Sequence, residues 1–308
     1  MPREVGLIKT VNNQSFHPNI LKLHDWFDRP SSYVVAMEHP NPCKDLYSYC
    51  QDQGDVLNED EACNITRQLL GPLQHCEDSG IVHRDVKLEN ILIQTDTKDI
   101  KLIDFGCGDR LKDTPYTEFS VHIYNVTQFA CLSGTECYQP LEWFKEEKFL
   151  AGPRNVWSVG ITVYGMVCGQ LPFTTFILKR MQEVNLPAGL SAGQRDFILC
   201  CLRPNAEDRP TLGQLQLHPW LQLEYCKPPG LSPPQFQIQT ARSGAHRNSE
   251  GGMLGGILTP YTFEYHSVTI TCPAKRFIAA ICHPPGPLGN FMDELDTLLS
   301  SFLEDLLG

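Results

Sequence analysis

The rhythm of apolar and polar positions changes several times along the chain, and each rhythm predicts an element. Behind Asn58, apolar residues recur at Ile65, Leu69, Leu70, Leu73 and Cys76, the spacing of a helix over 58–80 with one buried stripe. Asn58 suits its cap, and Glu61 three residues on predicts a capping box. Gly71-Pro72 interrupts this helix; an interior proline costs about 3 kcal/mol or more and predicts a kink. "NVWSVGITVYGMVCG" (155–169) is apolar nearly all round, as in a helix buried at the centre of a lobe. "SAGQRDFILCCLRP" and "TLGQLQLHPWL" predict two further amphipathic helices, and residues 1–10 a short one. "HPNILKLHDWF" (17–27), "SYVVAME" (32–38) and "IKLIDFG" (100–106) read as strands.

After about residue 225 the texture shifts. "KPPGLSPPQFQIQTARSGAHRNSEGGMLGG" is rich in Pro, Gly and Ser and reads as a flexible linker. "SVTITCPAKRFIAAICHPPG" predicts two strands around a short turn. "NFMDELDTLLSSFLEDLLG" then puts Phe291, Leu295, Leu298, Leu299, Phe302 and Leu306 at helical spacing.

One stretch breaks both periodicities. "IVHRDVKLENILIQ" (81–94) sets a histidine, an arginine, two carboxylates, a lysine and an asparagine between apolar runs. Two short buried strands with a polar loop between them fit it, and such loops commonly carry catalytic groups. Composition narrows the setting. A 308-residue chain with 42% hydrophobic residues sustains a real core. No apolar run approaches the roughly 18 residues needed to span a bilayer. The start lacks a signal pattern, so the expected address is cytoplasmic, extending to the nucleus. The net charge of −11 argues against nucleic acid as main partner. The thirteen cysteines include no C-x-x-C pair and read as reduced, small apolar residues.

"HRDVKLEN" (83–90) and "DFG" (104–106), followed by "PLE" (140–142), "VWSVG" (156–160) and "CLRPNAEDRP" (201–210), resemble the ordered motifs of eukaryotic protein kinases over about residues 1–224. The resemblance implies an α+β protein-kinase-like fold with a small β lobe and a mainly α-helical large lobe. It implies ATP and Mg2+ as cofactors and phosphoryl transfer to protein or peptide hydroxyls by a monomer. Asp85 would accept or orient the hydroxyl proton, and Lys87 would neutralise the moving phosphoryl. Asn90 and Asp104 would hold magnesium, a hard cation that prefers oxygen. Gly106 would let the chain turn, and His83 and Arg84 would pack the loop and tie it to the activation segment. Glu142 and Arg209 would form the architectural pair of the large lobe. Lys87, lying between the HRD and the asparagine, is similar to the serine/threonine subclass.

"LHDWFDRPSSYVVAMEHPNPCKDLYSY", "KLIDFGCGDRLKDTPYTEF", "MVCGQLPF" and "RPTLGQLQLHPWL" resemble the Pim kinases more finely. Pro40 in the hinge has no N–H to offer adenine, which leaves the Glu38 carbonyl as acceptor. Met37 would be the gatekeeper, Asp45 would face the ribose, and Leu92 would lie beneath the base. The chain departs from the family at its start. Gly6 is the only glycine before residue 54, so there is no Gly-rich phosphate loop. "VGLIK" mimics the lysine strand, but "HPNI" follows eight residues after Lys9, too soon for an intervening helix. Residues 2–10 therefore read as the end of that helix. Glu4 becomes the partner glutamate without its lysine. Segment 121–133 looks inserted into the activation segment. Leu88 and "LPFTTF" are apolar or neutral where Pim relatives carry acids, which weakens a preference for basic peptides; Asp45 and Glu89 remain.

Residues within 259–308 resemble a piece of the endonuclease domain of non-LTR retrotransposons, without a metal-binding acid cluster. The expected organisation is a partial small lobe (1–38), a large lobe (39–224, with the 121–133 insertion), a linker (225–258) and this retrotransposon-like hairpin plus helix (259–308), the tail being largely disordered. Two activities stay open: a Pim-type serine/threonine kinase, or a pseudokinase or interaction module without the glycine loop and anchoring lysine.

Overall fold

The computed structural model describes residues 1–14, 16–28, 33–118, 137–173, 184–222, 266–272 and 275–282. The linker, the 121–133 insertion and the C-terminal helix of the sequence reading lie outside the described residues.

The chain opens with α1 (Arg3–Gln14), longer than the 1–10 expected. Val5, Leu7, Ile8 and Val11 form its buried face. This places Lys9 on a helix, where its ammonium lies 5.5 Å from the Trp26 ring centroid rather than on a strand. The 17–27 run forms a strand only in its second half. Before that, the Leu21 N–H donates to the Leu102 carbonyl at 3.1 Å, and Leu102 N–H to Asn19 at 2.8 Å. Strands β1 (Leu23–Asp28) and β2 (Tyr33–Glu38) pair antiparallel. β3 (Cys43–Asp45) leads into α2 (Leu46–Asp52).

The long helix α3 (Glu59–Asp78) is continuous through Pro72, so the proline does not end it. All five stripe residues are at most 1% exposed. The capping box is only half made. Asn58 Oδ1 accepts from Glu61 N–H at 2.9 Å, while the Glu61 carboxylate accepts the Tyr49 hydroxyl at 2.6 Å. A tertiary partner outcompetes the local reciprocal bond. β4 (Ile81–Val82), β5 (Ile91–Gln94), β6 (Ile100–Leu102) and β7 (Asp109–Arg110) follow. They form the sheets β3-β5-β6 and β4-β7.

The rest of the large lobe is α4 (Leu141–Glu146), α5 (Ala151–Cys168), α6 (Ala192–Cys201) and α7 (Leu212–Gln216). The predicted single helix over "TLGQLQLHPWL" breaks after α7 into a separate 3-10 turn at Pro219–Gln222. α5 is buried almost throughout, with Trp157, Ile161 and Met166 fully enclosed. It can sit so close to α6 because Gly160 has no side chain: a Cβ there would lie 2.6 Å from the Cys201 Cβ. Among the described residues eight cysteines are free thiols. Cys63 departs from the all-reduced expectation and is disulfide-bonded. Sequence spacing carries no information about such long-range proximity.

The tail supplies β8 (His266–Cys272) and β9 (Lys275–Cys282), the predicted hairpin. It forms one antiparallel sheet with the small lobe, in the order β1-β2-β9-β8. Among the described residues no helix is long and apolar enough to cross a membrane.

Candidate active site

Between β4 and β5 the chain must present polar groups while staying anchored in a core, and His83 does the anchoring. Its buried ring lies edge-on to Phe105, with centroids 4.8 Å apart, and Nε2 is 2.9 Å from the Ile103 carbonyl. Nδ1 accepts the Asp85 N–H at 3.3 Å, so Nε2 carries the hydrogen. Burial lowers the His83 pKa and keeps the ring neutral. This neutral imidazole ties the 83–90 loop to the segment after β6.

Asp85, 7% exposed, is held from two sides. Its Oδ2 lies 2.8 Å from Lys87 Nζ and accepts the Asn90 amide at 2.9 Å. The same amide nitrogen donates to the Asp85 carbonyl at 2.8 Å, which leaves Asn90 Oδ1 as the ligand-capable atom. Burial works against the Lys87 charge, but Asp85, Glu89 and Asp104 outweigh it and raise the pKa, so the ammonium persists.

Asp104 sits at φ 63°, a left-handed conformation that a non-glycine residue rarely adopts; Arg84 does the same at φ 68°. The turn therefore falls on Asp104 itself rather than on Gly106. Gly106 instead donates its N–H to Asp104 Oδ1 at 3.0 Å. Asp85 and Asp104 both lie near enough to act on the charges of His83, Lys87 and Cys107. Burial, then the two acids, push the Cys107 thiol up to about 12, which makes it a poor nucleophile.

The other candidate residues lie on α1 and on β2, β3 and β5. Glu4 projects from α1 and accepts the Tyr33 hydroxyl at 3.1 Å. Burial, with Asp104 nearby, raises its pKa from 4.5 to about 7. Met37 and Glu38 end β2 and lead to Pro40. The Glu38 carboxylate is turned to Lys101 at 2.7 Å. Leu92 pairs with Asp45 across β3 and β5. Both Asp45 oxygens are engaged: Oδ1 accepts Ser48 N–H at 2.8 Å and Oδ2 the Ser48 hydroxyl at 2.7 Å. Asp45 is thus first the cap of α2, and a ribose would have to share it.

Two ties frame the site. Arg209, its side chain fully enclosed, grips Glu142 with both nitrogens at 2.8 and 2.7 Å. Asp109, which the sequence reading passed over, bridges Arg3 at 3.1 Å, Arg84 at 3.3 Å and Lys112 at 3.6 Å. Arg3 also donates to the Gly108 carbonyl at 2.8 Å. A Cβ at Gly108 would lie 3.0 Å from Leu7 Cδ1, so this glycine admits α1. Arg154 was also missed. Its buried guanidinium lies 4.7 Å from the Phe149 ring centroid, and burial lowers its pKa to about 10. Only the isolated charge in an apolar helix signalled it.

A buried histidine bracing a loop, an acid held by lysine and asparagine, and a second acid acting on the same lysine are what the structure brings together here. The protein kinase domain matches residues 1–221, and the chain belongs to the protein kinase family. Two of its relatives are serine/threonine-protein kinases by name, and it is Pim-like. Serine/threonine-protein kinase pim-2 of Danio rerio is 39% identical over 228 residues, 72% of this chain and 68% of that protein. Serine/threonine-protein kinase prk-2 of Caenorhabditis elegans is 31% identical over 237 residues, 75% of this chain and 50% of that protein. The human hormonally up-regulated neu tumor-associated kinase is 33% identical over 222 residues, 68% of this chain and 29% of that protein.

Proposed function

We propose that the chain is a Pim-type serine/threonine kinase that transfers the γ-phosphoryl of ATP to Ser or Thr hydroxyls of proteins. The observation that carries this reading is the hold of Lys87 and Asn90 on one oxygen of Asp85, beside Asp104. Asp85 Oδ1 then takes or orients the hydroxyl proton as the alcohol oxygen bonds to phosphorus and the bond to ADP breaks. Lys87, kept charged, faces the moving phosphoryl. Asn90 Oδ1 and the Asp104 carboxylate are oxygen donors that fit Mg2+, an ion that takes one or two protein ligands plus phosphates. When bound, it neutralises phosphate charge. Met37, the Glu38 carbonyl, Pro40 and Leu92 frame the adenine.

One observation favours a second reading, a pseudokinase or interaction module. Glu4 meets the Tyr33 hydroxyl and the field of Asp104, and burial together with that acid raises its pKa against the lowering effect of the hydroxyl. An ion-paired glutamate would be driven the other way. Residues 1–53 carry one glycine, Gly6, so these residues supply no glycine loop to the phosphate positioning on which the rate depends. Slow transfer and weak Mg-ATP binding are therefore expected. Radiolabelled phosphate transfer, with Asp85→Asn as control, decides between the two. Robust transfer that disappears in the variant supports the kinase; transfer at the level of the variant supports the module.

A further inference from the structure

β2 is the strand from which the chain enters Glu38-His39-Pro40. One of its edges is taken by β1. The other is taken by β9 through six consecutive pairs, from Tyr33 with Cys282 to Glu38 with Phe277. β9 is in turn paired along its length with β8, from His266 with Ile281 to Cys272 with Lys275. The tail strand is thus an interior strand, and its apolar run "FIAAI" is the composition that an interior strand carries. Among the described residues the hairpin is the second neighbour of β2, and β1 with β2 alone would be a two-stranded ribbon, which is marginal in water. Its open edge would invite another chain.

The register says which face the tail completes. Tyr33, Val35 and Met37 alternate onto one face of β2. The Tyr33 hydroxyl meets Glu4, so this face looks toward α1. Cross-strand partners share a face, which puts positions 282, 280 and 278 on the same side as Tyr33, Val35 and Met37. Those positions are cysteine, alanine and isoleucine. The basic residues of β9, Lys275 and Arg276, fall beyond Phe277, past the Glu38 end of the pairing.

We propose that the C-terminal hairpin is added in cis along β2 as an interior part of the small-lobe sheet, and that it puts no cation at the positions paired with Tyr33, Val35 and Met37. The segment resembling a foreign fragment is then an integral part of the kinase-like unit. This strand addition stands or falls independently of whether the chain transfers phosphate.

The test uses the full chain carrying Val35→Cys and Ala280→Cys, treated with a bifunctional thiol reagent of about 5 Å reach, the separation of facing residues. Peptide mapping is expected to find 35 joined to 280 within a single chain. Val35→Cys with Thr269→Cys, one strand further away, is expected to join at least tenfold less. Equal joining of the two pairs, or no 35–280 product, overturns the proposal. Joining only between two chains overturns it as well, because the strand would then come from a second copy. Hydrogen exchange gives an independent reading. Ala279→Pro removes a ladder bond from an interior strand, and the amides of Val34 to Met37 are expected to exchange at least tenfold faster. Unchanged exchange there refutes the strand addition; where the variant exchanges fast everywhere, the cross-link decides.

Discussion

At the scale of single residues, Glu4 is where environment overrides identity. Its folded pKa of about 7 exceeds the ordinary 4.5 because burial and Asp104 both disfavour its charge. Below pH 4.5 the group is protonated whether the chain is folded or not, and nothing is lost. As pH rises toward 7 the unfolded chain releases the proton and the folded one retains it, so stability falls until the folded pKa is passed. Glu4→Gln removes this dependence. Thermal melts at pH 5.0 and 8.0 should show the variant gaining on the parent at the higher pH by on the order of 1–3 kcal/mol. An identical pH response would mean that Glu4 is ionised normally. Asp85 gives the complementary case. Asp85→Asn keeps the shape but weakens the hold on Lys87, and any transfer activity should fall by roughly 100-fold or more.

At the scale of elements, close approach and pairing matter more than propensity. Gly160→Ala would drive a methyl into Cys201 and Leu202 where α5 crosses α6. Overpacking of this kind costs about 1–3 kcal/mol, measurable as a lower urea midpoint. Glu142→Gln leaves the enclosed Arg209 guanidinium without its counter-charge, and a loss of about 3–5 kcal/mol is expected by the same measurement. The elements were largely legible in the sequence. The α3 stripe and the Asn58 cap appear as read, because both depend on neighbours within one or two turns. The Glu61 half of the capping box did not appear, since Tyr49 from α2 claimed the carboxylate. The helix over "TLGQLQLHPWL" divides, with Trp220 buried against Phe197, ring centroids 4.9 Å apart. Packing, which no local pattern states, decided both.

At the scale of the molecule, the small lobe draws on both ends of the chain. Position 280 of β9 pairs with Val35, two residues along β2 from Tyr33, whose hydroxyl meets Glu4. Ala280→Lys is therefore expected to raise Mg-ATP affinity by roughly 10-fold, the effect of about 1.4 kcal/mol of charge pairing. Thermal shift against nucleotide reads it, with Ala280→Met as a control for bulk. No difference between lysine and methionine would place the phosphates elsewhere.

The sequence by itself determined the order of helices and strands, the polar loop of Asp85, Lys87 and Asn90, the loop of Asp104 and the family. Each of these is written in spacing, capping or a contiguous motif. Only the tertiary structure decided that both acids act on Lys87, that Asp109 ties three basic residues together, and that the tail hairpin lies along β2. Strand pairing is made by backbone groups that every residue carries. Its partners are therefore chosen by which edges and faces meet, and that choice has no local signature in the chain.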